Sequence, residues 1–264
     1  MDRRKFLGST VAAGFVGALV VLKPFHSAEG QDMRIETEVY AGKSRQPVFE
    51  NMTLFSGNSV YDFSRTGPEK ITVYDRRRGK FVLLNVEEET KVILDRETVE
   101  GYVDLLKSRE ELKRKEPFLF NPSFEEKFDE SSNQLTLSSD EMTYRIVGTP
   151  SKREESFEAY VDFINWYSKL SATDPRQMPP FARLELNQAL KRHKLIPKEV
   201  ERIYKPSNNL FGNRIQAKTK HYVVWQLSSK DRQRIDSALD HVTRFQEVSL
   251  SEFYGLKPVA VSSR

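Results

Sequence analysis

The chain has no cysteine among its 264 residues, which excludes disulfides, thiolate metal sites, a cysteine nucleophile and the cysteine that bacterial lipidation requires. Phosphate-cradling glycine patterns are missing as well. Neither GxGxxG nor GxxxxGKS occurs and the 12 glycines are scattered, so no nucleotide or other cofactor is expected. Histidine is scarce: beyond the first thirty residues there are only His193, His221 and His241, with no HExxH or HxxxH pair. The nearest cluster of ligand types, Asp236, Asp240 and His241, reads as a solvated helix face, and no metal is expected. Excess charge of one sign is also small. The formal net charge is +4, but residues 1–28 hold Arg3, Arg4, Lys5 and Lys23 against Asp2, leaving about +1 for the rest. The electrostatic footprint of a nucleic-acid binder is therefore absent. With 38% apolar residues, the chain is of ordinary globular composition and must gain its stability from packing.

What is present begins at the amino terminus. Asp2-Arg3-Arg4-Lys5-Phe6-Leu7 resembles the twin-arginine export motif, with Arg3, Arg4, Phe6 and Leu7 on the motif positions and Asp2 where Ser or Thr is commonest. Gly8 to Leu22 follows as a weakly apolar stretch diluted by glycine and alanine, closed by Lys23-Pro24. The resemblance implies the twin-arginine export machinery as a partner and a periplasmic or otherwise exported location, with a leader over 1–28 cut after Ala28 and a single domain over 29–264. An uncleaved inner-membrane anchor is the alternative, although this stretch is shorter than the roughly 20 residues that span a bilayer.

From Met33 to Asp95 the apolar residues alternate with polar ones, and turn signals recur every eight to twelve positions. Six strands are predicted: Met33 to Tyr40, Pro47 to Ser56, Ser59 to Phe63, Lys70 to Tyr74, Lys80 to Val86 and Thr90 to Leu94. Their short connections allow only an antiparallel meander. Asp95 then caps a helix predicted over 95–114, with Val99, Tyr102, Val103 and Leu106 at helical spacing. Strands are expected at Phe124 to Asp129, Gln134 to Leu137 and Met142 to Val147, ended by Gly148-Thr149-Pro150, with a weak sub-boundary at 148–152. A helix follows over 153–171, then another through Leu184, Leu186 and Leu190 closed by Pro197. Val200 to Tyr204 and Lys220 to Leu227 are predicted strands, and a last helix opens at Ser228 or Ser229. The fold class is therefore α+β: one large curved antiparallel sheet, an incomplete barrel, with about four helices packed on it.

Long alternating strands such as Val60-Tyr61-Asp62-Phe63, Ile71-Thr72-Val73-Tyr74-Asp75 and Phe81-Val82-Leu83-Leu84, followed by a helix, are similar to the outer-membrane lipoprotein carrier type of half-barrel. That resemblance implies a concave face covered by helices that receives acyl chains. The expectation is an exported, non-enzymatic protein binding an apolar ligand, a lipid or a lipid-modified partner, in a curved-sheet groove. Phe118, Phe120, Phe124 and Phe128, unusually apolar for a connecting segment, are candidates for its lining or for core. An exported hydrolase is the alternative, for which His221, His241, Ser228 and Ser229 are the first candidates, although Leu227-Ser228-Ser229-Lys230-Asp231 fits helix capping better than a nucleophile turn. An envelope interaction protein is a third reading. Arg76-Arg77-Arg78 reads as a solvated hairpin tip or a contact for an anionic surface.

Overall fold

The computed structural model describes residues 32–151, 153–206 and 214–256. The leader motif Arg3, Arg4, Phe6 and Leu7 lies outside them. Among the described residues no helix is long and apolar enough to cross a membrane.

The predicted meander forms as β1 (Met33–Ala41), β2 (Phe49–Ser56), β3 (Ser59–Ser64), β4 (Lys70–Asp75), β5 (Lys80–Asn85) and β6 (Thr90–Asp95). Each strand is antiparallel to the next, in registers such as Phe55 opposite Val60 and Tyr74 opposite Phe81. The tight connections place Gly57 and Gly79 at φ of 57° and 64°, a region that favours glycine. Asp95 caps α1 (Arg96–Lys107) by accepting from the Thr98 amide. The single helix expected over 95–114 is broken: Ser108 ends α1 and α2 (Glu110–Lys115) buries no side chain. The phenylalanine-rich segment then coils into a short α3 (Pro117–Phe120), with Pro117 at its first position.

β7 (Glu125–Asp129), β8 (Gln134–Ser138) and β9 (Met142–Pro150) follow as hairpins. β9 runs through Gly148 and Pro150 instead of ending there. A Cβ at Gly148 would stand 3.2 Å from that of Leu195, so glycine lets the neighbouring strand approach closely. α4 (Glu154–Leu170) and α5 (Phe181–Arg192) come next, and α5 ends at His193 rather than at Pro197. Pro197 lies instead within β10 (Leu195–Tyr204), at the bulge where its register against β9 shifts, a position that tolerates a missing N–H. β11 (Ile215–Val224) starts and ends earlier than predicted, and the last elements are α6 (Ser229–Arg244), β12 (Gln246–Glu247) and α7 (Leu250–Phe253).

Twelve strands join one open sheet in the order β12-β6-β5-β4-β3-β2-β1-β11-β10-β9-β8-β7. All neighbours are antiparallel except β12 and β6, which run parallel. The protein is thus α+β, its sheet not closed into a barrel. Four helices of more than two turns, α1, α4, α5 and α6, pack on it.

One core cluster joins inward residues from strands far apart in the sheet, Tyr74, Phe81 and Val92 on one flank and Leu135, Tyr144 and Ile146 on the other, through Phe157, Phe163, Leu186 and Leu190 of α4 and α5. Twelve strands laid flat would span about 50 Å at 4.8 Å each, against about 20 Å for two packed helices. The sheet must therefore bend around α4 and α5. On its opposite face, Met52, Leu54, Tyr61, Phe63 and Ile71 bury against Ile235, Ala238 and Phe245 of α6. The meander half is thus covered on both sides.

Candidate functional site

In the middle of the bent sheet the cover is incomplete. On β1 the inward positions start in the core with Met33 and Ile35, but Thr37 and Val39 are only half-buried. Their partners on β11 behave alike: Ala217, Thr219, His221 and Val223 face the same side and keep accessible surface. These positions form the floor of a cleft.

Polar side chains at inward positions build its walls. Asp62 on β3 is 5% exposed and accepts from Thr53 Oγ1 at 2.6 Å, Asn51 Nδ2 at 2.7 Å and the Tyr167 hydroxyl of α4 at 3.0 Å. Burial pushes its carboxyl above the usual range against the pull of those bonds. Asn51 stands opposite Thr37 in register. The Thr37 hydroxyl bonds His221 Nδ1 at 2.9 Å, and the Thr219 hydroxyl bonds Nε2 at 3.2 Å. A continuous polar row thus crosses five elements, from Tyr167 through Asp62 and Thr37 to Thr219. Tyr167 is 39% exposed, yet the Asp62 charge and the surrounding protein raise its hydroxyl well above the usual tyrosine range.

The far wall is made by β9, β10 and α5. Tyr144 stands opposite Arg202, with Ala217 on the other side of that arginine. Arg183 projects from α5, and its charge bears on His221, Tyr144 and Tyr160. Burial pushes Tyr160 up to about 12.

Burial first, and then the Arg183 charge, lower His221 from 6.5 to about 3. It stays neutral, one ring nitrogen donating and the other accepting, and the two threonine hydroxyls can serve either role. In the unfolded chain this histidine protonates near 6.5, so its contribution to stability is intact above that pH and is lost as the pH falls toward 3. We expect His221→Gln to flatten the acid limb of the stability profile in thermal melts across this window. An unchanged limb would contradict a desolvated His221.

The four hydrolase candidates do not meet. Ser228 forms a capping box with Asp231 at the start of α6, donating to Asp231 Oδ2 at 2.7 Å and accepting from the Asp231 amide. Ser229 is the first residue of that helix. His241 stacks on Phe245 at 4.5 Å on the α6 side of the sheet, across it from His221. Among the described residues no group of three metal-ligand side chains is assembled, and Asp240 pairs with Arg244.

The four phenylalanines pack at separate points of the β7 to β9 flank and α5. Phe118 is buried and meets Phe124 edge to face at 5.4 Å, Phe124 leans on Tyr144, Phe120 on Phe181, and Phe128 stacks on His193 at 4.0 Å.

Of the arginine run, Arg78 bonds Asp75 across the hairpin, while Arg76 folds onto Asp162 of α4 at 3.3 Å. Arg96 also reaches Asp162, at 3.2 Å, and donates to the Tyr74 hydroxyl. With Asn58, Arg77 and Glu158 these residues line a shallow surface cleft of about 390 Å³. Its charges are largely paired, so it reads as a latch between hairpin, α1 and α4.

The inward polar residues Thr37, Asn51, Asp62, Arg183 and Arg202 were missed as site residues in the sequence. The available signal was their parity. Arg202 falls between inward Val200 and Tyr204, and Asp62 shares its face with Val60, so each puts a charge where the alternation calls for an apolar side chain.

Fold and cleft together define an open-sheet α+β protein with a solvent-accessible polar cleft on its inner face. The chain matches no protein-family model and no curated protein.

Proposed function

We propose that this is an exported, non-enzymatic binding protein that holds an apolar ligand, a lipid or a lipid-modified partner, between the bent sheet and its helical cover. The observation that carries the reading is the half-buried centre of the inner face. Thr37, Val39, Ala217 and Thr219 share their side with the main core, yet among the described residues they stay only half-buried. A fully packed protein buries such positions, because a gap in the cover forfeits both burial and contact energy. Twin-arginine export accounts for the basic leader and is consistent with a fold that needs no cysteine.

Ala217 is small, makes no side-chain hydrogen bond and stands beside Arg202. Ala217→Trp is therefore expected to fill the cleft and weaken ligand binding at least about tenfold, some 1.4 kcal/mol, with little loss of stability. Native mass spectrometry of protein taken from its own compartment, paired with lipid extraction, reads this directly. Wild-type protein carrying no added mass, or added mass that Ala217→Trp leaves untouched, would refute the reading.

A further inference from the structure

The two sides of β10 carry their charges differently. Outward Glu199 pairs with Lys218 at 2.6 Å and outward Glu201 with Arg145 at 2.8 Å, so that face is balanced and solvated. Inward Arg202 has no carboxylate partner among the described residues: it donates to Met178 Sδ at 3.8 Å, stands opposite Tyr144 in register, and its buried Nε makes no hydrogen bond. Arg183, facing it from α5, donates through Nε to Asn187 Oδ1 at 3.1 Å and forms no ion pair among the described residues. Asn187 is itself fully buried, its amide nitrogen held by Ile164 O and Ser168 Oγ of α4, each at 3.1 Å. Its oxygen is thereby fixed toward Arg183 one helical turn earlier, which sets the direction of that guanidinium. The carboxylate on neighbouring Tyr204, Glu116, accepts that hydroxyl at 2.6 Å.

Two half-buried guanidiniums on facing elements, both bearing on the Tyr144 hydroxyl, are unfavourable without an anion, because each presents a fork of donors in a partly desolvated space. The fork matches a carboxylate or phosphate in two-point contact. On the floor, Thr37 and Thr219 add hydroxyls beside His221.

We infer that Arg183 and Arg202, with Tyr144 between them, form a clamp for the oxyanion headgroup of an amphipathic ligand whose apolar body lies along the inner face of the sheet. This rests on the binding function proposed above and adds the ligand's chemical class: a carboxylate or phosphate at the end of an alkyl chain.

Titration calorimetry of the full chain with decyl phosphate, decanoate, decanol and inorganic phosphate tests both parts. Decyl phosphate or decanoate should bind at least tenfold more tightly than decanol. Arg202→Gln and Arg183→Gln should each weaken the anionic probe about tenfold and leave decanol unchanged, with Arg202→Lys intermediate because it keeps charge without the fork. Thermal melts establish that each variant is folded, and Arg202→Lys with Arg183→Gln carries the test if Arg202→Gln is not. Equal affinity for decanol and the anionic probes, indifferent to the arginine variants, overturns the clamp and leaves the proposed binding of an apolar ligand standing. Inorganic phosphate binding as tightly as decyl phosphate, with the same sensitivity to the variants, supports the clamp and overturns the apolar body. Binding of no probe overturns both.

Discussion

Replacing Asp62 by alanine is expected to lower stability by about 3 kcal/mol, and replacing it by asparagine by about 1 kcal/mol. The carboxylate holds three donors from two elements: Thr53 and Asn51 on β2 and Tyr167 on α4. Alanine leaves the buried Thr53 hydroxyl without an acceptor and unties α4 from the sheet at the edge of the cleft. Asparagine keeps an oxygen toward Thr53 and Asn51, and the Tyr167 hydroxyl can turn to accept from its amide. Burial raises the carboxyl's pKa in the folded state. The stability linked to that shift is therefore present at low pH and is lost as pH rises through the raised value. Wild type should gain on Asp62→Asn as the pH falls. Urea unfolding at neutral and acid pH measures both effects, and a loss under about 0.5 kcal/mol for Asp62→Ala, the range of an ordinary surface change, would show that the network does not anchor α4.

Tyr74→Ala is expected to cost about 4 kcal/mol and Tyr74→Phe about 1 kcal/mol. The ring is fully buried, stacked on Phe81 at 4.3 Å with the planes 4° apart, and it also meets Phe163 of α4. Its hydroxyl donates to Asp162 at 3.1 Å and accepts from Arg96 Nε at 3.0 Å, so one side chain ties the hairpin, α1 and α4 together. Alanine removes ring and hydroxyl, whereas phenylalanine keeps the stack and releases only the polar latch. Denaturant unfolding separates the two contributions. Equal costs for both substitutions would mean that the hydroxyl, not the ring, holds this corner.

Much of the architecture was legible locally. The alternation in Met33 to Leu94 gave six strands in meander order, because a period of two with connections of a few residues permits little else. Ser228 and Asp231 marked the start of α6 through a capping box that depends on residues three apart. Errors fell where a local signal had a tertiary answer. Pro197 looks like a helix stop, but a bulge between β9 and β10 accommodates it inside a strand. The apolar spacing after Asp95 looked continuous, yet the chain breaks at Ser108 and α2 buries nothing.

The site was less legible. Thr37, Asn51, Asp62, Arg202 and His221 are scattered over 184 positions of sequence, as the Thr37 to His221 bond shows, and no spacing rule connects them. They become neighbours because β11, paired with sequence-adjacent β10 on one side, pairs on the other with β1 from the far end of the chain.

The sequence alone determined the six meander strands, the longer helices and which face of each is apolar, because these follow from propensity and periodicity within a few residues. Tertiary structure alone decided that the sheet bends around α4 and α5, that inward positions of β1 and β11 stay half-buried, and that Arg202 of β10 and Arg183 of α5 form no ion pair among the described residues. Those outcomes depend on pairings between distant strands, whose energies are set by packing across the whole sheet rather than by any local run of residues.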